Sequence, residues 1–352
     1  MGRVNRFRHW APAQAREMLY ALGPAFGLRL FLLTPKAYWS RVRARQSPFA
    51  PTLYERQRTL PRASLEGRVL SQEPYLRPTA HCDSHAPEVI ALADQLRHRS
   101  GRDWEYAQAV YDFVRNEIAH AFEPGPHRGV VGTLEAGCGI CVDQGNLLVA
   151  LARAGGIPAR YCTIGLSSVV EAGWVSPRDR LLRHFFEDLE ASTDGLLKKI
   201  GADLRRALEQ GEKAFCADNF PKDRLPYHPI VELKISDFWI PADPTLGDAE
   251  AAALCLPLPR LGYDPLMLWG FMGGVIGRSE EIPLGRSYWM VRHLLCLLAR
   301  GALDYVNRRF EEERTRGRQI LAEVGRAEYI HRRRRFYMPV PGLTELGVPP
   351  LL

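Results

Sequence analysis

The spacing of apolar residues predicts helices in the first part of the chain. Residues 12–23 place apolar side chains at i, i+3, i+4 and i+7, as one face of a helix requires. Pro87 suits the first turn of a helix over residues 87–98, and a further helix is predicted over residues 104–120. Residues 40–78 are rich in Pro, Arg and Ser and show no sustained period, which favours an extended arm.

The middle of the chain contains a stretch, residues 147–152, that is apolar almost throughout. Because a surface helix would keep a polar face, this composition predicts a helix that is buried on all sides. The helix should begin at or near Cys141 and end at Gly155-Gly156, since glycine is favoured just beyond a helix end. Pro158 cannot extend it, and a strand is expected over residues 160–164.

Strand-like alternation returns after a long polar region. Residues 177–213 are charged and helical in pattern, whereas residues 230–235 alternate as in a strand. Residues 238–241 predict a second strand that leads directly to Asp243. Residues 284–326 predict a long helix whose first half is apolar and whose second half is charged.

The composition is that of an ordinary globular protein. The 352 residues exceed a typical single domain, and 46% hydrophobic and 25% charged residues allow a sizeable core. The apolar run at residues 266–276 is Gly-rich and too short to span a bilayer. The apolar run at residues 26–33 contains Arg29 and lacks the cleavage site of a signal peptide. We therefore expect neither a transmembrane segment nor a signal peptide.

The net charge is +7, and much of the basic excess lies near the C-terminus. Arg332 to Arg335 form an uninterrupted run, which follows five arginines between positions 308 and 318. Such runs are typical of the solvated face of a long helix, and a weak contact with a polyanion or a membrane surface is the alternative. No aromatic-interleaved motif accompanies these arginines, so the sequence does not favour a nucleic-acid-binding protein.

Seven cysteines are present, and several of them, such as Cys255 and Cys296, lie in apolar stretches. An odd number in such positions argues against a secreted disulfide framework and for reduced thiols. Together with the lack of a signal peptide, this predicts a cytoplasmic protein.

Three residues predict cysteine chemistry. Cys141 opens the apolar helix, where unpaired backbone N–H groups and the positive end of the helix dipole favour the thiolate that attacks carbonyls. His228, in a strand-like run, and Asp243, in Pro-Ala-Asp-Pro-Thr, could supply a general base and the group that orients it. Each residue alone has an ordinary structural interpretation, as a buried thiol or a turn residue. The combination predicts a catalytic triad of Cys141, His228 and Asp243.

Two blocks of the sequence resemble the transglutaminase-like superfamily of papain-type cysteine enzymes. Residues 139–161 are similar to the family's Gly-x-Cys helix, which ends in Arg-Ala-x-Gly-Ile-Pro-Ala-Arg. Residues 228–245 are similar to its His-x-x-x-Glu strand followed by Trp, Pro and Asp-Pro-Thr. Residues 111–121 also resemble the helix that precedes the nucleophile. The matching positions of the second block are His228, Glu232, Trp239, Pro241, Asp243, Pro244 and Thr245.

The resemblance implies an α+β fold in which the nucleophile helix packs on an antiparallel sheet that carries His228 and Asp243. It implies an N-terminal helix and arm (1–85), a catalytic core (86–255) with a helical insertion (about 170–225), and a basic helical C-terminal extension (256–352). Glu232 and Trp239 are expected to be structural.

The implied activity is thiol-dependent acyl transfer on the amide bond of a peptide, a protein or a small molecule, through a thioester. Cys141 would be the nucleophile, His228 the base and Asp243 its orienting partner, with oxyanion donors among the backbone N–H groups near Cys141. Hydrolysis is favoured because no second, amine-presenting site is visible. A transglutaminase, an amide-forming acyltransferase and a non-catalytic binding or scaffold protein of the same fold are the alternatives.

Two other motifs suggest metal or redox chemistry less strongly. Cys138 and Cys141 form Cys-x-x-Cys, which could be half of a zinc site or a redox pair, but no second Cys-x-x-Cys is present. His81 and His85 have ligand-like spacing, yet the segment runs directly into Pro87 and is typical of a loop that enters a helix. We expect no metal and no cofactor. A reversible Cys138–Cys141 bond that silences the nucleophile stays a hypothesis.

The chain between Arg160 and His228 is longer than two adjacent strands need. Because this insertion joins the nucleophile half to the histidine half, it must start and end near the cleft. We expect a lid or substrate-selecting wall over residues 177–214, and a peripheral helical hairpin is the alternative.

Overall fold

A computed structural model of the protein describes residues 59–121, 129–166, 191, 198, 202, 225–263, 272–282, 300–346 and 348. Within these ranges, the side chains of 164–166, 225–228, 272–274, 276, 300–306 and 309 are not described. The predicted helix at 12–23, most of the predicted arm and nearly all of the predicted insertion lie outside the described residues.

Helices and two short strands precede the main sheet. In chain order they are α1 (Pro87–His98), α2 (Asp103–Glu117), β1 (Ala119–His120), α3 (Gly129–Ala136), β2 (Cys138–Gly139) and α4 (Cys141–Ala154). Helix α1 begins at Pro87, and α4 begins at Cys141 and stops before Gly155, so both predicted starts are confirmed. Gly156 has a φ of +85°, a left-handed conformation that glycine adopts without strain.

Four antiparallel strands form the main sheet: β3 (Ala159–Leu166), β4 (Leu225–Ile235), β5 (Phe238–Ala242) and β6 (Met272–Ser279). Their order is β5-β4-β3-β6, so β3 and β4 are its central strands. The register of the central strands is defined by Val231, which is paired with Tyr161 of β3 on one side and with Ala242 of β5 on the other.

Helix α4 packs on this sheet and supplies much of the core. All six residues from Leu147 to Ala152 are fully buried, which confirms the prediction of a helix without a polar face. Gly145 faces the sheet, since a Cβ at this position would lie 3.9 Å from the Cγ2 atom of Val231, an ordinary van der Waals distance. The Tyr161 hydroxyl donates a 2.8 Å hydrogen bond to Oδ1 of Asn146. The fold is therefore α+β, with the helix that begins at Cys141 packed on an antiparallel sheet.

Further helices follow β5 in sequence, and β6 comes after the first of them. They are α5 (Asp248–Ala253), α6 (Arg300–Val324) and α7 (Arg326–Arg332), followed by a 3-10 turn (Arg334–Phe336). Helix α6 packs along α5, and Leu246, Leu258 and Tyr329 belong to a second, smaller apolar core. Among the helices in the described ranges, none has both the length and the apolar character of a membrane span.

Three elements differ from the sequence prediction. The helix predicted to reach His120 ends at Glu117, because Ile118 is extended (φ −103°, ψ 104°) and the next two residues pair with β2. The single helix predicted to 326 is interrupted at Gly325, whose φ of +82° is incompatible with a continuous helix. Strand β6 was not predicted, because its Gly-rich sequence does not alternate; its pairing with β3 decides its conformation.

Candidate active site

Cys141 is the first residue of α4, and it is partly exposed although the twelve residues after it are buried. The backbone N–H of Ile140, just before the helix, donates a 3.0 Å hydrogen bond to Oδ2 of Asp143. The N–H groups of the first helical turn lie beyond the reach of intrahelical acceptors and point out of the helix end. The sulfur therefore stands where backbone donors converge, as a thiolate and an oxyanion both require.

Gly139 makes this helix start sterically feasible. A Cβ at this position would lie 2.6 Å from the Cβ of Asp143, closer than real Cβ atoms come to one another. Since that neighbour is the rigid base of a side chain and not a flexible end, a larger residue would force the first turn of α4 to shift. The glycine of the Gly-x-Cys pattern is therefore required by packing beside Cys141.

Asp243 follows β5 directly, and its side chain is held in one orientation. Residue Asp243 is only 3% exposed, and its Oδ1 accepts hydrogen bonds from the backbone N–H (3.0 Å) and the Oγ1 hydroxyl (2.6 Å) of Thr245. The Tyr111 hydroxyl donates a 3.1 Å hydrogen bond to the backbone oxygen of Asp243. Thr245 of the Asp-Pro-Thr pattern thus fixes the carboxylate that the sequence predicts as the orienting group.

The backbone of His228 lies in β4, opposite Ile164 of β3; its side chain is outside the described residues. His228 lies three residues before Val231, whose partner Ala242 immediately precedes Asp243. The positions of His228 and Asp243 therefore lie at the same end of adjacent strands.

The direction of α4 brings Cys141 to this same end. Asn146 contacts Tyr161 and Gly145 faces Val231, whereas Arg153, near the other end of the helix, donates to the backbone oxygen of Ala159. Since each helical residue advances about 1.5 Å, Cys141 lies roughly 7 Å beyond Asn146 along the helix axis, away from Ala159. The backbone thus places Cys141, His228 and Asp243, the three predicted positions, at the same end of the sheet.

Glu232 and Trp239 lie in a cluster on the sheet. Glu232 is nearly buried and accepts hydrogen bonds from Arg160 (2.7 Å) and Arg278 (2.8 Å). The guanidinium of Arg160 stacks 3.8 Å from the ring centre of Trp239, and the ring of Tyr75 meets that indole edge-on. These contacts join all four strands of the main sheet and a preceding segment, which favours the structural interpretation of both residues.

Three of the other described cysteines, Cys82, Cys138 and Cys162, are buried thiols. Burial raises the pKa of the Cys82 thiol to about 12, and the pKa of the Cys162 thiol also to about 12. Cys138 is fully buried in β2 and packs against Ala119 and Ala121. Each of the five described cysteines is a free thiol, whereas Cys216 and Cys296 lie outside the described residues.

Within the described residues, no group of three His, Cys, Asp or Glu side chains is arranged to hold a metal ion. The Nδ1 atom of His81 lies 3.0 Å from Oε1 of Glu281, and Oδ1 of Asp83 accepts a bond from the backbone N–H of His85. The segment at 81–85 is thus a tethered loop before α1.

Sequence reasoning missed His120. This residue is nearly buried in β1, where it is paired with Gly139, two residues before Cys141. Its Nδ1 atom lies 3.0 Å from Oε1 of Gln144 on α4, and Phe310 of α6 meets the imidazole edge-on. The sequence signal for strand β1 was weak. It consisted only of the alternation of apolar and polar residues around Ile118, shortly before Pro-Gly-Pro, and this pattern is too short to distinguish from a helix end.

Comparison with known proteins gives a family match for the middle of the chain. Residues 90–244, from α1 to just beyond β5, match the family model of the transglutaminase-like superfamily. This part of the chain is similar to the transglutaminase-like superfamily. The resemblance predicted from the sequence is thereby confirmed, and the coarse assignment to cysteine-dependent enzymes is supported.

One solved structure is similar to part of the chain, a candidate cysteine protease from Cytophaga hutchinsonii. The sequences are 17% identical, the TM-score is 0.34, and the match covers 60% of this chain and 48% of that protein. The matched part therefore spans about half the length of that protein. None of the curated proteins compared with this chain matches it.

Proposed function

We propose that the protein is a cysteine-dependent enzyme that transfers an acyl group from an amide or peptide bond through a thioester. The observation that carries this proposal is the position of Cys141. It is partly exposed at the start of a buried helix, and it lies at the same end of the sheet as Asp243, whose carboxylate is buried and held in one orientation. A merely structural thiol would be expected in the interior, as are Cys82 and Cys162.

In the proposed reaction, His228 takes the proton of the Cys141 thiol and the thiolate adds to the carbonyl carbon of the substrate. Backbone N–H groups at the start of α4 stabilise the oxyanion. The C–N bond then breaks, and the proton on His228 passes to the leaving amine. Asp243 holds the imidazole in the required tautomer throughout.

In the second half of the reaction, His228 removes a proton from water and the resulting hydroxide adds to the thioester carbonyl. The C–S bond breaks, the carboxylic acid leaves and the Cys141 thiol is restored. An amine in place of water would make the same centre a transglutaminase or an amide-forming acyltransferase. We favour water because no amine-presenting site is visible beside the nucleophile in the sequence.

Alkylation with iodoacetamide, followed residue by residue by mass spectrometry, tests the nucleophile. We expect Cys141 to react rapidly and with a pH-dependent rate, and to react more slowly in a His228→Ala variant. Cys255 is an exposed thiol outside the site and serves as an internal control. Equal rates at Cys141 and Cys255, unaffected by His228→Ala, would instead favour the rival proposal of a binding or scaffold protein that retains the fold without turnover.

Trapping the acyl-enzyme identifies the substrate. A His228 variant can be exposed to a cell extract, and the mass of the adduct on Cys141 gives the acyl group. A peptide, a protein and a small amide would give adducts of clearly different mass. The same experiment in the presence of primary amines distinguishes hydrolysis from amide exchange.

Three further assignments belong to this proposal. The free thiols, including the exposed Cys255, fit a reducing compartment such as the cytoplasm. The arginine run 332–335, in which Arg332, Arg334 and Arg335 are exposed, leaves a weak polyanion contact open to test by salt-dependent binding. The insertion, which we propose as a lid, lies almost wholly outside the described residues; deleting residues 177–214 should change the substrate range, and unchanged kinetics would contradict the lid.

A further inference from the structure

The C-terminal extension lies directly against the segment that carries Asp243. Helix α5 begins five residues after Asp243, and α6 packs along α5. A Cβ at Gly317 of α6 would lie 1.7 Å from the backbone oxygen of Ala249. The two helices therefore touch through their backbones, and the position of α6 is fixed with respect to the Asp243 segment.

Arg314 is buried at this contact, with 4% of its surface exposed. Its Nε donates a 2.6 Å hydrogen bond to Oε1 of Glu250 on α5, and Nη1 pairs with Glu311, one turn back on α6. Its Nη2 lies 3.4 Å from the backbone oxygen of His120 in β1. One guanidinium thus reaches from the helix after Asp243 to the strand beside the nucleophile.

The residues that Arg314 contacts on each side, His120 and Glu250, are a few residues or one contact away from the proposed site. On the cysteine side, His120 is paired with Gly139, and its ring contacts Gln144 in the first turn of α4. On the aspartate side, Glu250 lies on α5, whose first residue, Asp248, is bound by Arg115 (3.0 Å).

We propose that Arg314 is a positioning residue for the acyl-transfer centre, which it serves by holding the Cys141 segment and the Asp243 segment at a fixed separation. This inference rests on the proposed function. Arg314 acts through Glu250 and His120 and does not contact the substrate. The C-terminal extension is on this basis part of the catalytic unit, although it lies beyond the residues 90–244 that match the family model.

The test compares Arg314→Met, Arg314→Lys and Glu250→Gln by the pH profile of Cys141 alkylation in the full chain. We expect Arg314→Met to slow alkylation at neutral pH about tenfold or more, since small misplacements at a reacting centre have effects of this size. The profile should also move towards that of Cys255. Arg314→Lys keeps the charge but cannot span both contacts, and should be intermediate. Glu250→Gln keeps the shape and loses the charge, and should be intermediate as well.

Arg316→Met is the matched control, because Arg316 also pairs with a glutamate three residues earlier but is 61% exposed. It should leave the rate and the pH profile unchanged. Circular dichroism first establishes that each variant is folded at the assay temperature, and the milder Lys and Gln variants remain informative if Arg314→Met does not fold.

The two proposals can fail separately. If Cys141 of the unaltered protein reacts no faster than Cys255, the proposed function fails and this inference fails with it. If Cys141 is reactive and the folded Arg314 and Glu250 variants keep its rate and pH profile while melting at lower temperature, the role of Arg314 is structural only. That result would overturn the inference and leave the proposed function standing.

Discussion

The hydrogen bond from Thr245 to Asp243 gives a sharply defined prediction. Thr245→Val keeps the side-chain shape and removes only the hydroxyl, which lies 2.6 Å from Oδ1 of a nearly buried carboxylate. The backbone N–H of Thr245 remains as a second donor to the same oxygen. Because hydrogen bonds to charged groups contribute about 1.5–3 kcal/mol, we expect a loss of that size in the free energy of unfolding.

Two assays measure this effect. Denaturant unfolding gives the free energy of unfolding, and alkylation of Cys141 reports the proposed triad, which should become less reactive as the carboxylate gains rotational freedom. Thr133→Val is the matched control. Thr133 is equally buried, but its hydroxyl donates to a neutral backbone oxygen, that of Gly129 at 3.0 Å, so its loss should be about 0.5–1.5 kcal/mol. Equal losses in the two variants, with Cys141 reactivity unchanged, would refute the argument that Thr245 orients a charged, functional carboxylate.

Other parts of the structure give three further predictions. Arg115→Met should lower the free energy of unfolding by about 1.5–3 kcal/mol, because it removes the charged 3.0 Å hydrogen bond to Asp248, which keeps Arg326 as its second partner; denaturant unfolding measures this, and a loss below about 0.5 kcal/mol would contradict it. Gly139→Ala should lower the free energy of unfolding by about 1–3 kcal/mol and slow the alkylation of Cys141, because the added Cβ would lie 2.6 Å from the Cβ of Asp143. The control is Gly101→Ala, whose Cβ would meet only a flexible carboxylate at 3.4 Å, and it should be near neutral in both assays. Burial holds the pKa of Cys82 at about 12, whereas the pKa of an unfolded thiol is about 8.5. Between these two values only the unfolded thiol loses its proton, so the free energy of unfolding should fall by roughly 1.4 kcal/mol per pH unit. The fall should be shallower in Cys82→Ala, and equal slopes in the two proteins would contradict this reasoning.

The core of the fold was predictable because its signals are local and agree with one another. The apolar run at 147–152 indicates a buried helix, Gly155-Gly156 indicates its end, and the alternation at 230–235 indicates a strand. The resemblance of two separate blocks then sets these elements in one α+β fold. The position of Cys141 at the helix start follows from the same local pattern.

The contacts that surround the site were not predictable because they join residues far apart in the chain. Arg314 belongs to a charged stretch that the sequence indicates as a solvated helix face, and only the fold shows that this one arginine is buried against Glu250. His120 likewise changes from the end of a helix to a strand because β2, which follows a turn, pairs with it. Pairing and ion contacts of this range depend on tertiary structure, which local periodicity does not encode.

The place of β6 in the sheet has a consequence for how the chain reaches its native state. This strand is the outer neighbour of β3, yet it is made about a hundred residues later. Until it arrives, one long side of β3 presents open N–H and C=O groups that invite pairing with other chains. A nascent or truncated protein that ends soon after residue 244 is thus expected to aggregate, and shortened forms for biochemistry should extend at least through β6.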